Sequence, residues 1–313
     1  MRVWSSALVA AAAVVASVGA VAVPATASVG GPAQPALTVG GEVSAPTAYS
    51  AARLAALPQT SVSLTVGGRR VTDTGVLLET LVSDARPAYP ASLRNTKNEI
   101  LRATVTVRGA GRDQVTFAVG ELDPGFGNHP ALLALTQNGR AVRGGPELVV
   151  PGDRSPVRSV PHVSVVTVGI ATAPATDTAP AAGSPVKIVD GRHVVTLSAA
   201  RLARLPQETL KVSFEGPGGV QTDTETGPAL LRVLALAGIR PTLSTWVAAT
   251  GDDNYVATIT PAEQLAGGRP LQLSLTENGK ALAQPRLVTD GDVKGGRYVS
   301  GIVDIYVGTG PAR

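Results

Sequence analysis

The stretch Ser50-Ala-Ala-Arg-Leu-Ala-Ala-Leu-Pro-Gln59 returns at residues 198–207 as Ser-Ala-Ala-Arg-Leu-Ala-Arg-Leu-Pro-Gln. Further on, Leu-Ala-Leu-Thr-Gln-Asn-Gly at 133–139 returns as Leu-Ser-Leu-Thr-Glu-Asn-Gly at 273–279. Between them Thr72-Asp73-Thr74 matches Thr222-Asp223-Thr224, and after them Gly152-Asp153 matches Gly291-Asp292. Four matched segments in one order predict two copies of one domain, at 37–170 and 186–309, because a period this long is not that of a solenoid. A chain of 313 residues has room for two such cores. Aromatic residues are only 3%, so the cores fall to Val, Leu, Ile and Ala.

Residues 171–185 form an Ala/Thr/Pro run with a proline every few positions. Proline forbids helix there and favours an extended spacer between the copies. Within each copy the pattern mixes strands with short helices. Asp190-Gly191 reads as a hairpin turn between strands at 186–189 and 193–197. Ser198 is a natural helix N-cap, and Pro206 stops that helix. Leu230, Leu231, Leu234 and Leu236 predict a helix over 229–237, ended by Gly238. Strands are expected at 210–214, 245–249, 255–259, 271–275 and 299–307, with Asn278-Gly279 turning the chain. The fold class is therefore α+β. Tandem immunoglobulin-like sandwiches would lack the helices at 50–57 and 227–237.

Arg2, the apolar run Ala7–Val23, Pro24 and the box Ala25-Thr26-Ala27 read as an export signal over 1–27, cleaved after Ala27. A retained membrane anchor is the alternative. No second apolar run is long enough to span a bilayer, so no membrane span is expected after cleavage. Without an Arg-Arg pair, the signal points to export of an unfolded chain and a secreted, extracellular protein. The chain has no Cys, which removes thiolate nucleophiles, thiolate metal sites and disulfides together.

Net charge is +4, and the basic residues are scattered, with Arg69-Arg70 the only adjacent pair; this argues against nucleic acid as a partner. His129, His162 and His193 show no metal-binding spacing. The loop Asp123–His129 offers acid/base groups but reads better as a Gly/Pro connection. Asp252-Asp253-Asn254 and Asp290-Gly291-Asp292 have oxygen ligands without calcium-loop spacing and read as turns. No Gly-x-Ser-x-Gly elbow occurs, and Gly216-Pro217-Gly218-Gly219 is a hairpin connection rather than a phosphate loop.

The order of these segments resembles the molybdopterin-binding domain of the sulfite oxidase family. Gly41-Glu42-Val43 and Pro46 fit its start; Leu54 to Pro58 and Leu202 to Pro206 fit its first helix end. The two Asn-Gly turns, then Pro285-Arg286-Leu287-Val288 and Arg297-Tyr298, fit its later part. The resemblance implies two tandem copies of that α+β domain. It also implies a molybdenum-ligating Cys just after the first central strand, near 63–68 and 213–219, where this chain has none. Serine or threonine would be a much poorer ligand. Glu147 stands in the first copy where the second has Arg286.

These features favour a secreted binding or interaction protein that keeps the fold without metal redox activity, acting on an unidentified extracellular ligand or protein. No cofactor is expected, although the resemblance leaves room for molybdopterin. Arg286, Lys294 and Arg297 form the expected anion-binding patch. The alternatives are a molybdopterin-dependent oxidoreductase and a structural cell-wall or adhesive protein.

Overall fold

The structure is a computed structural model that describes residues 36–66, 68–94, 96–111, 113–173, 181–216 and 218–312. The expected export signal over 1–27, the middle of the Pro-rich spacer (174–180) and Pro217 lie outside the described residues.

The first half has strands β1 (Leu37–Gly41), β2 (Thr47–Tyr49), β3 (Thr60–Val66), β4 (Arg69–Leu77), β5 (Ala103–Arg108), β6 (Gln114–Ala118), β7 (Leu132–Gln137), β8 (Arg140–Ala141), β9 (Glu147–Val149) and β10 (Val165–Ile170). Its helices are α1 (Ala51–Ala55), α2 (Leu78–Ala85) and α3 (Val119–Leu122). The second half has β11 (Val186–Asp190), β12 (His193–Leu197), β13 (Gln207–Gly216), β14 (Gly219–Pro228), β15 (Thr245–Gly251), β16 (Val256–Ile259), β17 (Leu271–Glu277), β18 (Lys280–Thr289) and β19 (Ile302–Thr309). Its helices are α4 (Ala199–Ala203), α5 (Leu230–Leu236) and α6 (Ala262–Leu265). The class is α+β, and the helices expected near 50–57 and 227–237 are present as α1 and α5.

Each half packs two sheets. The path β2-β1-β10-β5-β6 recurs as β12-β11-β19-β15-β16, and β3-β4-β7-β8 recurs as β13-β14-β17-β18. In both halves one parallel pairing, β1 with β10 and β11 with β19, brings the end of the half back to its beginning. The halves differ where Gly144, Gly145 and Pro146 interrupt the first; both glycines have positive φ, and β8 and β9 stand in place of the continuous β18.

The repeated residues do local structural work. Ser50 and Ser198 cap α1 and α4 by accepting from the backbone N–H of Arg53 and Arg201 at 3.2 and 3.3 Å. Gln59 closes the other end of α1 by donating to the carbonyls of Leu54 and Leu57 at 3.0 and 2.8 Å; Gln207 does the same for Leu202 and Leu205 at 3.1 and 2.6 Å. Asn138 and Asn278 turn with φ +50° and +51°, and each side-chain oxygen accepts from the neighbouring strand, from Thr72 N and Thr224 N at 2.9 Å. Gly75 and Gly227 lie so close to the next strand that a Cβ would sit 1.9 Å from the Leu133 carbonyl oxygen and 2.1 Å from that of Leu273.

These contacts move one of the sequence matches. Thr72 corresponds to Thr224, not to Thr222, and Asp73 to Glu225, because the β13–β14 hairpin is longer than β3–β4. A two-residue shift keeps every side chain on its face, so the threonine pattern survives it. The strand β14 has no apolar alternation to announce it. Cross-strand hydroxyl pairs line it instead, such as Thr209 with Thr226 at 3.0 Å, matching Ser61 with Thr74 at 2.8 Å in the first half.

Two large aliphatic cores result, one per half, around Leu37, Leu78, Leu81 and Val105 and around Leu230, Leu234, Leu273 and Ile305. Leu101, from the first half, packs in the second core. A smaller cluster of Ala171, Ala248, Val256 and Ala312 also joins the halves. Ala171, placed by sequence in the spacer, is buried and donates to the carbonyl of Arg102 at 2.9 Å. It is part of the packed structure because β10 delivers it into the contact between halves.

Candidate ligand site between the two halves

The halves meet across two matching sets of buried charges. The short helix α3 carries Glu121, and the turn Pro156–Arg158 carries Arg158. Arg158 donates through Nη1 to Glu121 at 2.6 Å and through Nε and Nη2 to Asp153 at 2.8 and 2.6 Å. In the second half α6 carries Glu263, and the turn Gly295–Arg297 carries Arg297. Arg297 donates through Nη1 to both oxygens of Glu263 at 2.8 Å and through Nε and Nη2 to Asp292 at 2.9 and 2.5 Å. Both arginines and both glutamates are fully buried.

The sets are stitched together. Thr260 donates to Glu121 at 3.5 Å, and Arg154 N donates to the carbonyl of Ala266 at 3.0 Å. Arg269 donates to the carbonyl of Gly127 at 3.1 Å and to Asp292 at 2.9 Å. His129, from the loop 123–130, places Nδ1 3.2 Å from Glu121 and Nε2 3.4 Å from Asp153. Burial alone would raise the Glu121 carboxyl, but Arg158, with His129 and Arg297, outweighs it and holds the group at about 2. For Glu263 burial wins, and its carboxyl sits above the ordinary value despite Arg297. Burial opposes the charge on Arg158 and Arg297, but their carboxylates more than offset it and raise both guanidinium values.

This arrangement relocates the expected anion patch. Arg297 has no exposed surface, and its donors are taken by Asp292 and Glu263; an added anion would have to displace two carboxylates. Arg286 is bonded to Glu225 at 2.8 Å, to Glu277 and, through Nε, to Ser300 at 3.2 Å. Lys294 alone of the three is exposed. The three therefore do not converge on a common anion. Glu147 is paired in register with Ala134 as Arg286 is with Ser274, so the opposed charges do occupy matching positions. Asp292 spends its oxygens on Arg297, Arg269 and the Thr289 hydroxyl, and Asp253 accepts from Tyr255 N at 2.9 Å; both act as anchors of side chain or turn.

Lys294 stands on a cleft of about 730 Å³ between the β13–β14 hairpin and the first half. Phe126, Phe214, Tyr255 and Tyr298 line it, four of the ten aromatic residues in an aromatic-poor chain. Their placement depends on two glycines. A Cβ on Gly295 would lie 2.6 Å from the Phe214 ring, and one on Gly296 would lie 2.3 Å from the Phe126 ring. Phe214 and Tyr298 pack with ring centroids 4.4 Å apart and tilted by 43°. Tyr255 donates to the carbonyl of Gly296 at 2.6 Å and accepts from Asn98 at 2.9 Å, a link between the halves. The Tyr298 hydroxyl is buried without a hydrogen-bond partner, and burial, with Asp292, Asp290 and Glu225 nearby, pushes its value far up. Lys97 and Lys294 are balanced on the lining by Glu215 and Asp253.

The sequence signals for this site were faint. Asp153 precedes Arg158, and Asp292 precedes Arg297, by the same spacing, yet only the Gly-Asp pairs stood out in the repeat. Nothing local marks Glu121, Glu263 or the aromatic lining.

The residues present do not fit molybdopterin. The 213–219 segment, where the resemblance requires a thiolate, lines the cleft with Phe214, Glu215 and Gly216. The arginines that would meet the anionic end are held by carboxylates of the chain itself. Among the described residues no group of three or more His, Asp or Glu side chains is placed to hold a metal ion. No family model matches the chain, and no curated protein matches it. Among solved structures, the crystal structure of the sulfane dehydrogenase SoxCD from Paracoccus pantotrophus is similar over 82% of this chain, at 16% identity and a TM-score of 0.33. The match covers 62% of that structure's chain, so this protein spans less than two thirds of its length.

Proposed function

We propose that this is an exported binding protein, built on a duplicated α+β scaffold, that holds a small ligand in the aromatic cleft without molybdenum chemistry. The observation that carries the reading is the gathering of Phe126, Phe214, Tyr255 and Tyr298 over a glycine floor in a chain otherwise almost free of aromatic residues. Ligand sites are concave, aromatic-lined and furnished with a few polar groups, and this cleft has all three properties. Its two lysines face two carboxylates, which suits a ligand with a flat apolar face and little net charge. The apolar run and small-residue box over 1–27 support export, and the missing thiolate supports binding over redox chemistry.

The test takes the protein from its own host. Chain lacking residues 1–27 is expected in the culture medium, free of molybdenum and pterin. Native mass spectrometry is expected to show a retained small molecule that the Phe214→Ala variant loses. Near-stoichiometric molybdenum with released pterin would overturn the reading, as would a ligand retained equally by the variant.

A further inference from the structure

Buried guanidinium groups need partners, because an unpaired charge away from water is costly. Arg158 and Arg297 obey this rule with two carboxylates each. Arg102 does not. It ends the turn Glu99–Arg102 at the start of β5, is only 7% exposed, and its Nη1 has no hydrogen-bond partner. Its Nη2 makes one long contact, 3.4 Å, to the carbonyl of Asn254 in the other half. Among the described residues no carboxylate lines its pocket. Burial pushes the guanidinium below its ordinary value, offset in part by Tyr255.

That pocket, about 310 Å³, lies between the halves and is separate from the aromatic cleft. Ser92 and Thr172 stand on its wall and are exposed, while the Thr96 hydroxyl is already spent on the carbonyl of Leu93 at 2.8 Å. The backbone carbonyl of Arg102 is tied to Ala171 N at 2.9 Å and to the Thr258 hydroxyl at 3.4 Å, so the residue is fixed from both halves. A positioned guanidinium with an unbonded donor, two hydroxyl-bearing residues on the same pocket and, among the described residues, no competing carboxylate is the donor set that recognises an oxyanion.

We propose that Arg102 is the base of a binding site for a small oxyanion, a carboxylate or a phosphate group, with the hydroxyls of Ser92 and Thr172 as further donors. The anion supplies the charge that the fold omits, and in doing so it ties the first half to the 254 turn of the second. The proposal does not depend on the aromatic cleft, and its failure would leave the reading of that cleft untouched.

The test is titration of the full mature chain with inorganic phosphate and, separately, with acetate, followed by calorimetry and thermal melting, against chloride at equal ionic strength. One site per chain and a melting temperature that rises with oxyanion concentration are expected. Arg102→Met, which keeps the bulk of the side chain, is expected to weaken binding at least tenfold, and Arg102→Lys to recover part of it. Arg102→Gln serves if the methionine variant does not fold. Response to acetate alone assigns a carboxylate ligand, and response to phosphate alone a tetrahedral one. If neither ion binds the wild-type chain, or if Arg102→Met and Arg102→Gln titrate like wild type, the proposal is wrong.

Discussion

Replacing Arg297 by methionine would test whether the buried charge sets hold the halves together. Methionine fills part of the space but removes the guanidinium donors that reach Glu263 and Asp292. Asp292 would keep Arg269 at 2.9 Å and the Thr289 hydroxyl at 2.7 Å. Glu263 would keep only the backbone N–H of Thr260 at 3.3 Å, with no exposed surface. The stranded charge is therefore Glu263. Removing one member of a buried pair costs about 3–5 kcal/mol, most of it from the carboxylate left behind. Urea unfolding followed by far-ultraviolet circular dichroism should show a loss in that range, as a lower midpoint with an unchanged slope. Adding Glu263→Leu to the variant removes the stranded group and should recover about 1–3 kcal/mol, the cost of an unsatisfied buried polar group. A loss under about 1 kcal/mol for Arg297→Met, or no recovery in the double variant, would refute the account on the scale expected for buried pairs.

Four further outcomes follow from the same geometry. Glu121 has a folded value of about 2 against an ordinary 4.5, so its contribution is present above 4.5 and is lost as pH falls toward 2. Acid unfolding of Glu121→Gln should accordingly be flatter over that window. Glu263 runs the other way: raised by burial, it disfavours the folded state as pH rises through and above 4.5. Gly227→Ala would drive a Cβ to 2.1 Å from the Leu273 carbonyl oxygen, and should cost about 2–3 kcal/mol in the same urea assay. Tyr298→Phe removes a buried hydroxyl that has no partner, so stability should stay within about 0.5 kcal/mol of wild type or rise. A clear loss in Tyr298→Phe would show that the hydroxyl is paired in the folded protein.

The repeat was legible because its residues act on their near neighbours. Ser50 and Ser198 cap helices three residues away, Gln59 and Gln207 close the same helices, and Asn138-Gly139 and Asn278-Gly279 turn with positive φ. Such groups satisfy the backbone within a few positions, and short-range chemistry leaves its pattern in the order of residues. The same regularity made two errors easy. Thr72 matches Thr222 in sequence because a two-residue shift along a threonine-rich strand changes no face, and the bond from Thr224 N to the Asn278 side chain, with the pairing of β14 to β17, fixes the register. Arg297 reads as a free cation when the family resemblance places it with Arg286 and Lys294, while one of its partners, Glu263, lies on another element.

The sequence by itself determined the α+β class, the caps and turns of both halves, and the absence of any thiolate ligand. Tertiary structure alone decided which charges meet. Glu121, Asp153 and Arg158 converge with Glu263, Asp292 and Arg297 only when the halves dock, and docking leaves Arg102 buried with one long contact to the Asn254 carbonyl and its Nη1 unbonded. An arginine looks the same in sequence whether it ends in water, beside two carboxylates or on the lining of a pocket. Its burial and its partners are set by long-range packing, and those two quantities determine whether its charge holds the fold together or remains available to a ligand.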